Sequence, residues 1–306
     1  MNRHFRALCA AALCFSTLFC AARASAATLP PLPHATRSFD AGSLHVDVYG
    51  GGAQALIFIP GLSSGPWSWA EQIAHFSPSY TIYALTLPGF DGRTFAASPD
   101  LFGSFSGDFW SMLDAQHISH PVVIGHSLGG TLAIDLAEQH PDRLRAAIAL
   151  DGLPVFPGVA QLTDAERAAA ATRMTAAISG ESHAQLLAYE IGFMKTVGTI
   201  DPSMVQTLAE KCANSDPKAI AAWGAADIGT DLRPQLKNAT VPLLELMPYA
   251  KPSMYSQSQT LAFYQMLLAG APDAKVVPIE GARHFAMIDQ PTAVDAAIMQ
   301  FLESAH

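Results

Sequence analysis

The segment Val122-Val123-Ile124-Gly125-His126-Ser127-Leu128-Gly129-Gly130 constrains the fold more than any other part of the chain. A short apolar run, typical of a strand buried on both faces, ends in G-x-S-x-G. A helical pattern follows at once, from Leu128 to Gln139. A serine in that context sits on a tight strand-to-helix turn in a strained backbone conformation. Gly125 and Gly129 lack the Cβ atoms that would clash across the turn. The turn presents the Ser127 hydroxyl at the sheet edge and aims the free N–H groups of the new helix at the same point. Ser127 is therefore a candidate nucleophile.

The rest of the chain fits a sheet built around this strand. Ser43 to Gly50 alternates, with Leu44, Val46 and Val48 on one face. Ala55 to Pro60, Tyr80 to Leu87, Leu144 to Leu150, Val241 to Met247 and Ala274 to Ile279 read as further strands. Trp67 to Phe76, Asp100 to His117, Ser258 to Leu268 and Thr292 to Leu302 read as helices between them. Alternating strands and helices predict an α/β fold: a mostly parallel central sheet with helices on both faces. One stretch breaks the alternation. Residues 152–238 are alanine-rich and helical in pattern, and contain no convincing strand. They predict a helical lid insertion over the carboxyl edge, between core segments 27–151 and 239–306.

On these motifs the chain resembles the α/β-hydrolase superfamily across nearly its whole length after the first segment. Ile59-Pro60-Gly61-Leu62 resembles the family's oxyanion loop, with Pro-Gly where many members have His-Gly. The resemblance implies an oxyanion hole made by the backbone N–H groups of Leu62 and Leu128. One such donor typically contributes ~3 kcal/mol to transition-state stabilisation. Gly281-Ala282-Arg283-His284-Phe285 follows the last strand, where the family places its catalytic histidine. His284 is thus the candidate general base, able to take the serine proton and return it to the leaving group. His126 neighbours the nucleophile, but its side chain points elsewhere on the turn and is expected to pack or hydrogen-bond locally. Trp67, Trp69, Tyr189, Phe193, Met194 and Trp223 are candidates to line a substrate pocket, and Tyr249 and Tyr255 to line its rim.

The acid departs from the commonest family pattern. The loop from Pro248 to Tyr255, after the strand Val241 to Met247, has no Asp or Glu. Glu245 lies within that strand, too early to reach the cleft. Asp151 closes the preceding strand, and some family members place their acid there. Neighbouring strand ends lie only ~4.8 Å apart, so either loop can reach the same histidine. Asp151 is the candidate third member, orienting the imidazole and stabilising its cation.

The first segment reads as a secretory signal peptide over residues 1–26. Arg3 and Arg6 precede an apolar run from Ala7 to Cys20, and Ala24-Ser25-Ala26 fits an A-x-A cleavage site. The run of about 14 residues falls short of the ~20 needed to span a bilayer. Cleavage near Ala27 or Thr28 implies a periplasmic or extracellular protein without stable membrane insertion. It removes three arginines and no acid, taking the formal charge from −9 to −12. A charge of that sign repels nucleic acid. Three of the four cysteines, Cys9, Cys14 and Cys20, go with the segment, leaving Cys212 without a disulfide partner. Cys212 reads as structurally incidental. No phosphate loop or metal-ligand spacing stands out, so no cofactor or metal is expected.

The leading functional expectation is hydrolysis of a small-molecule carboxylic ester or lactone through an acyl-enzyme. Acyl transfer or perhydrolysis by the same triad is an alternative, and a non-enzymatic ligand-binding protein on the same scaffold is another. Epoxide hydrolases and haloalkane dehalogenases of the superfamily use aspartate at the elbow, and Ser127 argues against both.

Overall fold

Period-two burial sorts the apolar residues onto two faces of one sheet, described by a computed structural model of residues 28–304. The signal segment read from the sequence, with its predicted cleavage site, lies outside the described residues. The strands are β1 (Arg37–Ala41), β2 (Leu44–Gly50), β3 (Ala55–Ile59), β4 (Thr81–Thr86), β5 (Val122–His126), β6 (Ala146–Leu150), β7 (Leu243–Tyr249) and β8 (Ala274–Glu280). Their order is β1-β2-β4-β3-β5-β6-β7-β8. β2 pairs antiparallel with β1 and β4, and every pairing from β4 to β8 is parallel. The mostly parallel sheet expected from the sequence is therefore present. β1 is an addition: its exposed sequence RSFDA carries no apolar run to announce it.

The helices are α1 (Ala70–Phe76), α2 (Leu101–Gln116), α3 (Leu128–Gln139), α4 (Asp164–Ile178), α5 (His183–Phe193), α6 (Val205–Ala213), α7 (Pro217–Gly229), α8 (Gln257–Leu268), α9 (Ala286–Asp289) and α10 (Pro291–Ser304). On one face Ile57, Ile59, Leu85 and Val123 pack under α2, α3 and α8. On the other Leu56, Phe58, Ile124 and Ile148 pack under α1 and α10. Full burial of one such side chain stabilises by ~1.5–3 kcal/mol. The central strands β3, β5 and β6 are buried at every residue, which explains their unbroken apolar sequences.

Residues 152–238 enter between β6 and β7 and carry α4 to α7. Local chemistry starts these helices. Thr163 and Glu166 form a reciprocal capping box at α4, and Ser182 and Gln185 form another at α5. Asp216 caps α7, with Pro217 in its first turn. α4 packs on α7, and α5 on α6. α5 runs directly into a π-helical turn, Met194–Gly198. Among the described residues no helix is long and apolar enough to cross a membrane.

Candidate active site

Ser127 sits between the last residue of β5 and the first of α3, with φ 52° and ψ −121°. Such a conformation is costly for a residue with a Cβ and persists only where surrounding bonds enforce it. Here the Ser127 N–H donates to Leu150 O at 2.9 Å, and the Ser127 carbonyl accepts from Gly130 and Thr131. A Cβ at Gly125 would lie 1.9 Å from Gly129 O, so the first motif glycine is required by the turn itself. A Cβ at Gly61 would lie 3.2 Å from Ser127 Cβ, which puts the loop carrying Leu62 directly against the elbow. Leu128 is the first residue of α3, where the backbone N–H groups have no intrahelical acceptor.

Asp151 leaves the end of β6 with φ 51°. Its N–H donates to Leu246 O across to β7. One carboxylate oxygen, Oδ2, accepts from His284 Nδ1 at 2.6 Å, and the other, Oδ1, accepts from the Tyr264 hydroxyl of α8. Burial alone raises the Asp151 carboxyl, but the hydrogen bond and charge of His284, with the Tyr264 bond, hold it below its ordinary value. An anionic Asp151 fixes the His284 tautomer: Nδ1 carries the proton and the Nε2 lone pair is free.

The backbone of His284 is held from two sides. Its N–H donates to Val197 O, and that of Phe285 to Gly198 O, both in the π-helical turn. Single π turns recur at functional sites because they displace backbone groups from the regular ladder. Beneath, His126 Nε2 donates to His284 O at 2.9 Å. Burial, then the proximity of His284, keep His126 well below its ordinary pKa, so it is neutral. Its Nδ1 has no hydrogen-bond partner. His126 therefore makes a hydrogen bond as expected, but to the His284 main chain, 158 residues away, rather than to a local partner. Asp289 ties the loop further, accepting from the N–H groups of Arg283 and Ile200 and from the Thr199 hydroxyl.

Ser127, Asp151, His284 and Leu62 line one cavity of about 350 Å³. Three non-glycine residues with positive φ, namely Ser63, Ser127 and Asp151, meet in its wall. The segment 152–238 supplies much of the remainder, including Tyr189, Phe193 and Met194. Other aromatic expectations fall elsewhere. Trp67 and Trp69 are buried in the core, Trp67 stacked on Phe285 and Trp69 donating to Ile59 O. Trp223 is buried, donating to Pro88 O. Tyr249 and Tyr255 do not reach the rim; the Tyr249 hydroxyl bonds to Tyr255 O at a separate surface depression. Cys212, read from the sequence as incidental, is buried in the cavity wall, and burial raises its thiol well above the ordinary range.

Glu245 lies under this site, fully buried on β7 and paired in register with Ala149. Neither carboxyl oxygen has a hydrogen-bond partner of good geometry, though the backbone N–H groups of Asp151 and Gly152 lie near it. Burial, reinforced by the Asp151 charge and opposed by the backbone N–H groups of Gly152 and Asp151, pushes it well above its ordinary value of 4.5. An acid with a raised folded-state pKa contributes stability below its unfolded value, lost as pH rises toward the folded value. Glu245→Gln is therefore expected to unfold no more easily than the parent at neutral pH. It removes a decline in stability of up to about 1.4 kcal/mol per pH unit that begins above the unfolded value. Urea unfolding at a series of pH values reads this. Parallel curves for the two proteins would show that Glu245 is ionised in the fold.

The alpha/beta hydrolase family model matches residues 56–297. The 3-oxoadipate enol-lactonase 2 of Acinetobacter baylyi is 24% identical over 247 residues, covering 80% of this chain and 86% of that protein. The lipase LipV of Mycobacterium tuberculosis is 34% identical over 125 residues, 40% of this chain and 47% of the lipase. Among solved structures, the enol-lactonase from Burkholderia xenovorans superposes with a TM-score of 0.66 at 20% identity, over 85% of this chain and 96% of that one. An esterase from Thermogutta terrifontis gives 0.71 at 17% identity, over 88% and 99%. The structural likenesses establish the shared fold. The matched span holds every strand from β4 to β8, the serine turn, Asp151 and His284, so the chain belongs to the alpha/beta hydrolase family and is a hydrolase.

Proposed function

We propose that the protein is a serine hydrolase that cleaves carboxylic esters or lactones through an acyl-enzyme on Ser127. The observation that carries this reading is the 2.6 Å bond between His284 Nδ1 and Asp151 Oδ2 in the cavity that also presents Ser127. With Nδ1 protonated, Nε2 is the base. It takes the Ser127 proton as Oγ attacks the carbonyl carbon, and the imidazolium is stabilised by Asp151. The carbonyl oxygen gains negative charge and is received by the N–H groups of Leu62 and Leu128. Collapse expels the alkoxide, which takes the proton from His284. Water, deprotonated by the same nitrogen, then releases the acid and restores Ser127.

The helices of 152–238 act in this reading as the lid that shapes the substrate pocket. The lactonase and esterase names of similar proteins are consistent with an ester or lactone substrate. A panel of p-nitrophenyl esters and lactones of graded acyl length tests the proposal. Turnover of short or medium members is expected, and no turnover of any member contradicts it. The protein is further proposed to be exported, on the strength of the charged, apolar and Ala24-Ser25-Ala26 sequence of its first 26 residues. Amino-terminal sequencing of exported protein is expected to begin at Ala27 or Thr28. An intact amino terminus, or a lipid-modified Cys20, contradicts this.

A further inference from the structure

The catalytic cavity contains two carboxyl groups that the reaction does not use. Glu190 comes from α5 and Asp227 from α7, and both face the space above Ser127. Glu190 Oε1 accepts a hydrogen bond from Ser63 Oγ at 3.1 Å, beside the loop of Leu62. Asp227 lies next to Thr131, whose hydroxyl hydrogen is directed to Leu153 O at 3.1 Å. Asp227 Oδ1 has no hydrogen-bond partner. No lysine or arginine lines the cavity. The one positive charge felt by either acid is that of His284 when protonated.

Two acids enclosed without cationic partners carry a desolvation penalty. Burial pushes each up to about 7, against the opposing Ser63 bond at Glu190, so both lie at the edge of ionisation. A ligand carrying positive charge supplies the missing partner. The same cavity is lined by the aromatic residues Phe156, Tyr189 and Phe193. Aromatic rings attract a desolvated cation through their quadrupole. A carboxylate-bearing ligand meets Glu190, Asp227 and Asp151 with no compensating cation.

We propose that Glu190 and Asp227 make this a pocket for esters bearing an amine or quaternary ammonium group, and that it rejects esters bearing a carboxylate. The inference rests on the esterase reading for turnover, but its binding claim can be measured without turnover. Acetylcholine and its neutral isostere 3,3-dimethylbutyl acetate are compared at mildly alkaline pH, with p-nitrophenyl acetate as the uncharged reference. The expected kcat/KM favours the cation by about tenfold or more, a ratio in the range of a desolvated cation–π and carboxylate contact. In Glu190→Gln/Asp227→Asn the two substrates are expected to approach parity. Tetramethylammonium is expected to inhibit p-nitrophenyl acetate hydrolysis by the unaltered protein competitively, which needs no folded double variant.

Equal turnover of the charged and neutral esters, or ready turnover of mono-p-nitrophenyl succinate, overturns the inference while leaving the esterase reading intact. Calorimetry on Ser127→Ala separates the two in the other direction. Preferential binding of acetylcholine there, with no turnover of any ester by the unaltered protein, supports the cation pocket and removes the esterase. Equal or absent binding of both ligands there counts against the pocket.

Discussion

Ser127→Ala is expected to lower kcat by ~10⁴-fold or more, since triad residues act as a unit and removal of one typically costs that much. The fold is expected to survive. The Ser127 backbone, not its hydroxyl, makes the bonds to Leu150, Gly130 and Thr131 that hold the turn. Alanine keeps the Cβ that the strained φ of 52° already accommodates. Steady-state kinetics on the best ester, beside a circular-dichroism melt, read the two expectations separately. Retention of more than about a hundredth of the parent activity is incompatible with Ser127 as nucleophile, because only ~10³–10⁴-fold over water remains without a triad member.

The second large effect falls on Asp151→Asn, expected to cost up to ~10⁴-fold in kcat with little change in substrate binding. Asparagine preserves size, and its carbonyl can still accept from the Tyr264 hydroxyl. Its amide then faces His284 Nδ1 as a donor. Two donors cannot bond, so the imidazole is driven to carry its proton on Nε2, and the base is lost. The exclusion that selected Asp151 from the sequence also excludes a substitute. Glu245 lies in the strand below, fully buried and without hydrogen bonds to the histidine. Near-parental kcat in the Asn variant would mean that the Asp151–His284 bond does not control the tautomer. Tyr264→Phe offers a graded companion: it removes one bond to Asp151 Oδ1 and leaves the bond from His284.

The sequence was legible where local chemistry decides the structure. The G-x-S-x-G turn, the apolar runs of β3 to β7 and the start of α3 each follow from a short segment, and each lies where expected. The bond between Asp151 and His284 was foreseeable because the ends of adjacent parallel strands are neighbours, so the acid-free loop after β7 pointed to the end of β6. What stayed hidden depends on distant segments. Tyr264 bonds to Asp151 across 113 residues, and an amphipathic helix reveals its buried face without revealing which side chain meets the site. The support of His284 by Val197, Gly198 and His126 is likewise set by packing between segments. Glu190 and Asp227 look like ordinary polar positions of α5 and α7, and only the enclosure of the cavity turns them inward. Tyr249 was misplaced because β7 runs on to that residue, ahead of the exposed turn that holds Tyr255.

Fluorophosphonate labelling tests the central claim most directly, because the reagent reacts with a serine only when a neighbouring base and an oxyanion hole activate it. Intact mass spectrometry after brief exposure, followed by peptide mapping, is expected to show one adduct per chain. That adduct is expected on the peptide containing Ser127, absent in Ser127→Ala and slowed severely in Asp151→Asn. A folded protein that takes up no label, or one labelled equally well without Ser127, would contradict the account.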